Sequence, residues 1–480
     1  MLPLEIYIHV PFCVKKCAYC DFLSGPSTEE ERERYVELLC QEIKVCQEIE
    51  ACREIEACRE VEACRGRAEN LKKEACPENR KDREASGRND RYEVVTIFFG
   101  GGTPSLLTGE QVENIMKSLR QTFCVAPEAE ITLEVNPGTV TEEKLMAYKR
   151  AGINRLSIGL QSVHDEELRM LGRIHTFEEF RKSYAMARKA GFANINIDLI
   201  SAIPGQTAES WEETLRTIIA LEPEHISAYS LIIEPGTPFY ELYGEEEDSS
   251  AEQSCGTAQD PERKRLSDED SERQELPDEN SESAERKHLP DEESERQMYW
   301  STKKILQDAG YERYEISNYA RPGYECKHNQ GYWSRVPYLG FGIGAASLVP
   351  GCLAERKREI PAADAEEISA ESPEKWERMS RYANPEDVEE YSHSFAQKFR
   401  GDYLSKEEEM EEFMFLGLRK MDGISQNDFR EYFRTEIEEI YGSQIKKLEG
   451  MGLLGRDGER IRLTEKGIDV SNAVFVEFMF

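Results

Sequence analysis

The 480-residue sequence is short of positive charge: 61 lysines and arginines stand against 95 acidic residues, a net charge of −34. A nucleic-acid-binding protein ordinarily carries a basic footprint, so this deficit argues against that class. Long apolar runs are missing too, and nothing approaches the ~20 residues needed to cross a bilayer. Aromatic residues are absent from 245 to 297, where 20 acidic residues face 7 basic ones. Such a stretch cannot bury enough apolar surface to offset its ordering entropy, so residues 244–297, with their echoes LSDEDSER, LPDENSES and LPDEESER, read as a disordered acidic insertion. A disulfide framework is also lacking. The 13 cysteines are odd in number and their spacing matches no disulfide framework, and no secretory leader precedes them, which reads as a reduced, cytoplasmic protein.

What is present is concentrated in YIHVPFCVKKCAYCDF. It sets Cys13, Cys17 and Cys20 in a C-x3-C-x2-C spacing after a short apolar strand. Soft thiolates suit iron–sulfur clusters, and three of them can hold three irons of a [4Fe–4S] cube, leaving the fourth open to an external ligand. A structural zinc site wants a closed set of four ligands, usually two separated pairs, and no second pair follows. Three buried, unligated cysteines remain the bland alternative. A second cysteine series, Cys46, Cys52, Cys58 and Cys64, recurs every six residues in CQEIEACREIEACREVEA. On a helix each six-residue step turns about 240°, so these thiols spread around the axis, and 46–91 reads as a charged helical insertion followed by a polar linker.

From residue 94 the pattern alternates. Strands are expected at 94–99, 131–135, 155–160, 195–200 and 225–232, with helices at 109–123, 141–151, 165–171, 177–190 and 208–221. With the strand at 5–9 and the helix beginning near Thr28, that makes six strands separated by helices, the mark of a parallel β/α array over residues 1–243. Sequence alone does not separate an open doubly wound sheet from a partial barrel. A helix is expected to resume near Met298. Residues 298–353 then complete the core, 354–385 form a polar insertion, and 386–480 read as helices ending in a Gly-turned hairpin, resembling a winged helix.

Chemistry-bearing residues fall at carboxyl ends of the strands, where parallel β/α folds assemble their sites. The run Gly100, Gly101, Gly102, Thr103 suits close approach of backbone to a ligand. Glu134 and Asp198 are carboxylates in otherwise apolar strands and need partners, with a ligand hydroxyl, an ammonium group, or Arg155 or Arg173 as candidates.

The motifs YIHVPFC, FFGGGTPS, LEVNP, GLQS, GRIH and IDLI with IPGQT resemble, in that order, the radical S-adenosylmethionine (SAM) proteins of the oxygen-independent coproporphyrinogen III oxidase family. The resemblance implies a partial (β/α)6 barrel, a [4Fe–4S] cluster on Cys13, Cys17 and Cys20, and SAM as cofactor. Tyr7, Gly101 and Glu134 are implied as contacts to the cluster-bound SAM. Tyr19, Gly102, Thr103, Gln161, Arg173 and Asp198, with Ser230 a weaker match, align with contacts to a second SAM in the oxidase. Two departures matter: Phe22 stands where the oxidase has a further cysteine, and KHNQGYW looks like the H-N-x-x-Y-W element of HemW-type heme chaperones. That branch implies heme as ligand, with His328 on the iron and Tyr332 and Trp333 against the porphyrin. It further implies acceptor hemoproteins, soluble or transiently membrane-associated, and a homodimer. Without the resemblance, His328 reads as a hydrogen-bonded loop histidine and Trp333 as core. The competing activities are radical decarboxylation of coproporphyrinogen and a scaffold that binds no cluster.

Overall fold

The computed structural model describes residues 1–48, 92–244, 288–350, 379–395 and 401–480. Six parallel strands, β1 (Leu2–Val10), β2 (Tyr92–Gly101), β3 (Val125–Val135), β4 (Arg155–Gln161), β5 (Ile195–Ser201) and β6 (His225–Ser230), lie in sequence order across one sheet. A doubly wound sheet reverses strand order at a switch point. Here the order never reverses, and right-handed crossovers then place every connecting helix on one face. The wall therefore curls as a partial barrel. A seventh parallel strand, β9 (Tyr338–Phe341), continues it beyond β1, while β8 (Asn318–Ala320), antiparallel to β6, and the short β7 (Glu312–Arg313) close the other edge.

Threonine starts several helices by the same device. Thr108, Thr141, Thr176, Thr207 and Thr237 each accept a backbone N–H three residues ahead, opening α2 (Gly109–Thr122), α3 (Glu142–Ala151), α5 (Phe177–Lys189), α6 (Ala208–Ile219) and α7 (Pro238–Tyr243). Each such cap contributes about 1 kcal/mol and fixes where the chain turns from strand end to helix. Helix α1 (Glu29–Glu48) carries Glu29, Glu30 and Glu31 in its first turn, favourable to the dipole, and α4 (Asp165–Met170) follows β4. Strand residues Ile6, Ile8, Ile97, Phe99, Leu133, Leu156, Ile158, Ile197 and Ile226 bury against these helices.

Several sequence boundaries shift. Helix α8 (Glu292–Asp308) starts at an Asp291 cap, six residues before the expected resumption, so 291–297 is not part of a disordered insertion. Strand β11 (Met379–Ala383) lies inside the expected polar insertion and pairs antiparallel with β10 (Ala346–Pro350). Residues expected to open the C-terminal domain belong instead to the barrel core: Tyr391, on α10 (Val388–Ser394), donates to buried Glu42 at 2.6 Å. The acidic stretch up to 287 and the cysteine repeat beyond Glu48 fall outside the described residues.

A separate apolar core forms the C-terminal domain. Its order is helix α11 (Lys406–Gly417), short strand β13 (Ile424–Ser425), helices α12 (Gln426–Phe433) and α13 (Ile437–Gly450), and the hairpin β14–β15 (Leu454–Asp457, Arg460–Leu463). That is the arrangement of a winged helix, turned by Gly458 in a left-handed conformation. Arg335 binds it to the barrel, donating to Glu409 at 3.1 Å and Glu412 at 3.2 Å, all three nearly enclosed.

Candidate functional site

At the carboxyl ends of the strands lies a cavity of about 870 Å³. The loop after β1 forms one wall. It is pinned at its base by the Phe12–Gly25 bridge, with Cys13 N–H donating to Gly25 O at 2.8 Å. Its middle is pinned by Ala18, which donates to Leu171 O and accepts from Phe239 N–H. Between these fixed points Cys13, Cys17 and Cys20 are half-exposed and all line the cavity. Among the described residues no three His, Cys, Asp or Glu side chains already form a tight ion cage.

The glycine run forms the next wall. Gly102 donates to Val10 O at 2.9 Å, and a Cβ there would lie 2.7 Å from Phe12 O. Gly101 adopts φ +105°, open to glycine at little cost, and a side chain would strike the His9 ring. Backbone therefore reaches the cavity bare. Thr103 accepts from Asn136 Nδ2 at 2.8 Å and stands 3.4 Å from Cys13 Sγ. Arg173 donates to Asn136 Oδ1 at 2.7 Å, to Gly159 O at 2.8 Å and to Cys17 Sγ at 3.5 Å. Asn136 thus joins the threonine to the arginine; it sat unread within LEVNPG, two residues beyond Glu134.

Gln161 occupies a register break between β4 and β5, at φ +75°. A non-glycine residue in that conformation marks local strain of the kind found at functional sites. Its Oε1 is buried without a partner, as is Arg173 Nε. Asp198 accepts from Ser157 at 3.0 Å and from Asn196 at 2.7 Å. Burial raises the pKa of Asp198, and burial plus the Asp198 charge pushes Glu134 up to about 8. Tyr19 lines the same cavity, as does Ser230, whose hydroxyl donates to Glu295 on α8. Glu295 was missed because it falls in the acidic stretch read as disordered. Arg419, Ser471 and Asn472 bring the C-terminal domain to the rim.

Tyr7 stands apart from this group. It lines a second cavity, of about 550 Å³, together with Lys16, Phe22, Tyr332 and Tyr338. His328 reaches neither cavity and is only 2% exposed. It lies on helix α9 (Lys327–Trp333) rather than on a loop, stacked on Phe98 at 5.1 Å and edge-on to Tyr332 at 4.8 Å. Its Nδ1 is 2.7 Å from Thr96 Oγ1, and its Nε2 has no partner. Burial, with Arg155 adding to it, pushes its pKa down to about 3, so the ring is neutral near pH 7. Gly331 explains the glycine of the motif, since a Cβ there would collide with the Glu5 carboxyl. Trp333 faces the other way, under the Arg419 guanidinium at 4.4 Å. The structure therefore does not set Tyr332 and Trp333 on one ligand surface.

The site chemistry fits the implied groups. Three soft donors share a cavity with a bare backbone ledge, unpartnered polar atoms and two carboxylates suited to a cation. Comparison with known proteins agrees. The Radical SAM superfamily model matches residues 64–218, and the HemN C-terminal domain model matches 404–470. "Heme chaperone HemW" of Bacillus subtilis is 30% identical over 98% of this chain and 98% of its own. "Heme chaperone HemW" of Escherichia coli is 33% identical over 72% and 70%. The solved structure of E. coli "Coproporphyrinogen III oxidase (HemN)", a radical SAM enzyme, has the same fold, with a TM-score of 0.66 at 21% identity, covering 99% of this chain and 90% of that one.

Proposed function

The chain belongs to the HemW family of heme chaperones within the radical SAM superfamily, and from that premise we propose that it binds heme and passes it to acceptor hemoproteins. The observation that carries the heme assignment in this chain is His328, a buried neutral imidazole whose Nε2 has no hydrogen-bond partner. Thr96 holds Nδ1, and the Glu5 carboxyl lies 3.8 Å from the same nitrogen. Histidines that ligate metals are oriented in this way, through a bond at the other ring nitrogen. The adjacent first cavity is the proposed seat of the cluster, on Cys13, Cys17 and Cys20, and of SAM, beside Gly101, Gly102, Thr103, Glu134, Gln161, Arg173 and Asp198. When bound, these groups supply one-electron redox chemistry.

Anaerobic titration of reconstituted protein with hemin, followed in the Soret band, tests the chaperone reading. Saturable binding is expected, with the Soret maximum shifted and affinity reduced at least tenfold in His328→Ala. Formation of decarboxylated porphyrinogen under turnover would instead establish the oxidase activity.

The carboxylates give a second expectation. Glu134, with its pKa near 8, is mostly protonated at pH 7 in the free protein. SAM is a net cation, and pairing with it favours the ionised carboxylate. SAM binding should therefore release a proton near pH 7 and tighten as pH rises toward 8. Calorimetry in buffers of different ionisation enthalpy reads this directly. Glu134→Gln should abolish the release, and proton uptake by the unsubstituted protein would contradict the assignment.

A further inference from the structure

His328 is too enclosed to meet a heme from solvent, yet one thin partition separates it from open space. That partition is the Tyr332 ring. One side of it stands edge-on to His328, and the ring also contacts Tyr338, with centroids 4.6 Å apart at 70°. The residue lines the second cavity, whose volume of about 550 Å³ falls within the ~300–1,000 Å³ range of small-molecule sites.

The walls of that cavity match a particular chemistry. Tyr7, Tyr332 and Tyr338 give aromatic faces, Ala345 and Ala346 add small apolar groups, and Lys16 supplies a cation beside His9, Asp21 and Glu386. Phe22 also lines this cavity, with 65% of its surface exposed and its ring free to lie against a ligand. A flat aromatic macrocycle fits the tyrosine faces, with one of its carboxylates on Lys16 and the side bearing Asp21 and Glu386 left to solvent. Behind the partition, the unpartnered Nε2 of His328 completes the set. In the tautomer that donates Nδ1–H to Thr96, the free lone pair sits on Nε2 and is available to iron.

Resting on the heme-chaperone reading, we propose that this second cavity is the heme seat and that Tyr332 is the gate between it and His328. Rotation of the Tyr332 ring joins the cavity to the imidazole. Lys16, Asp21 and Phe22 also line the first cavity, so the cysteine loop is the common wall of the two chambers. Heme and SAM would then occupy opposite sides of that wall and bind together rather than compete. Tyr332 itself is not assigned to the iron: burial raises its pKa far above the usual phenol value, which disfavours the phenolate.

Hemin titrations of the full reconstituted chain, with iron content and melting temperature recorded for each variant, test this. Ala346→Trp fills the cavity and should weaken hemin binding at least tenfold while SAM binding holds. Phe22→Ser, a surface change with little folding risk, should weaken it several-fold. Tyr332→Ala should speed hemin association several-fold and keep the histidine-ligated spectrum, which His328→Ala removes. Saturating SAM should leave hemin bound. If Phe22→Ser and a folded Ala346→Trp both bind hemin as the unsubstituted protein does, or if SAM displaces hemin, the seat is not this cavity, although the chaperone reading stands. Failure of the unsubstituted protein to bind hemin at all removes that reading, and this proposal with it.

Discussion

Serine in place of any one of Cys13, Cys17 and Cys20 is expected to strip the reconstituted protein of its cluster, from about four irons per chain to near zero. The effect should be this large because the three thiols share one cavity wall and, among the described residues, no further cysteine lines it. A serine hydroxyl is a harder and less acidic ligand than a thiol, so it does not replace the lost thiolate. Cys124→Ser and Cys46→Ser provide the contrast. Cys46 is buried on α1 within the barrel core, and its replacement should leave iron and sulfide unchanged. The measurement is iron and acid-labile sulfide per chain, with the visible charge-transfer absorbance. Iron that survives all three triad variants but falls on removing Cys46, Cys52, Cys58 and Cys64 together would move the cluster to the six-residue repeat and overturn the site. Iron that never binds in stoichiometric amount would favour the scaffold reading.

How much of this was legible depended on whether the signal is local. Strand β2 and its glycines and the helices between strands are written in neighbouring residues, and the structure puts them within a few positions of where the periodicity does. The first cavity was readable for the same reason, because strand ends in a parallel array converge whatever lies between them. Helix α8 was cut short because its first turns are as acidic as the preceding stretch; its buried face begins only at Met298, followed by Thr302, Ile305 and Leu306. Strand β11 reads MSRYA and shows its role only through pairing with β10. The enclosure of His328 was the least readable feature. Thr96, Phe98, Glu5 and Glu130 surround it from three strands that lie far away in sequence. A short polar motif gives no hint that it folds into a barrel interior.

That interior also sets the other large effect, at Arg155. Its side chain is 2% exposed, with Nε unpartnered, and its charge favours the ionised forms of Glu134 and Asp198 while disfavouring a charged His328. Arg155→Met keeps much of the volume and removes a positive charge that acts on both carboxylates. Breaking a buried charge cluster from one side costs about 3–5 kcal/mol, and a loss of that size is expected in denaturant unfolding of the cluster-free chain. Its pH dependence separates the charge from mere packing. Glu134 already has a folded pKa raised to about 8, so between about 4.5 and 8 the folded state binds more protons than the unfolded chain. This group's contribution therefore declines as pH rises through that window. Without Arg155 its pKa climbs further, and the decline should carry on to higher pH. The defect of Arg155→Met should accordingly be smallest near pH 5 and grow toward pH 8. A defect of equal size across that range would mean that Arg155 acts by filling space, and that the two carboxylates find their counter-charge elsewhere.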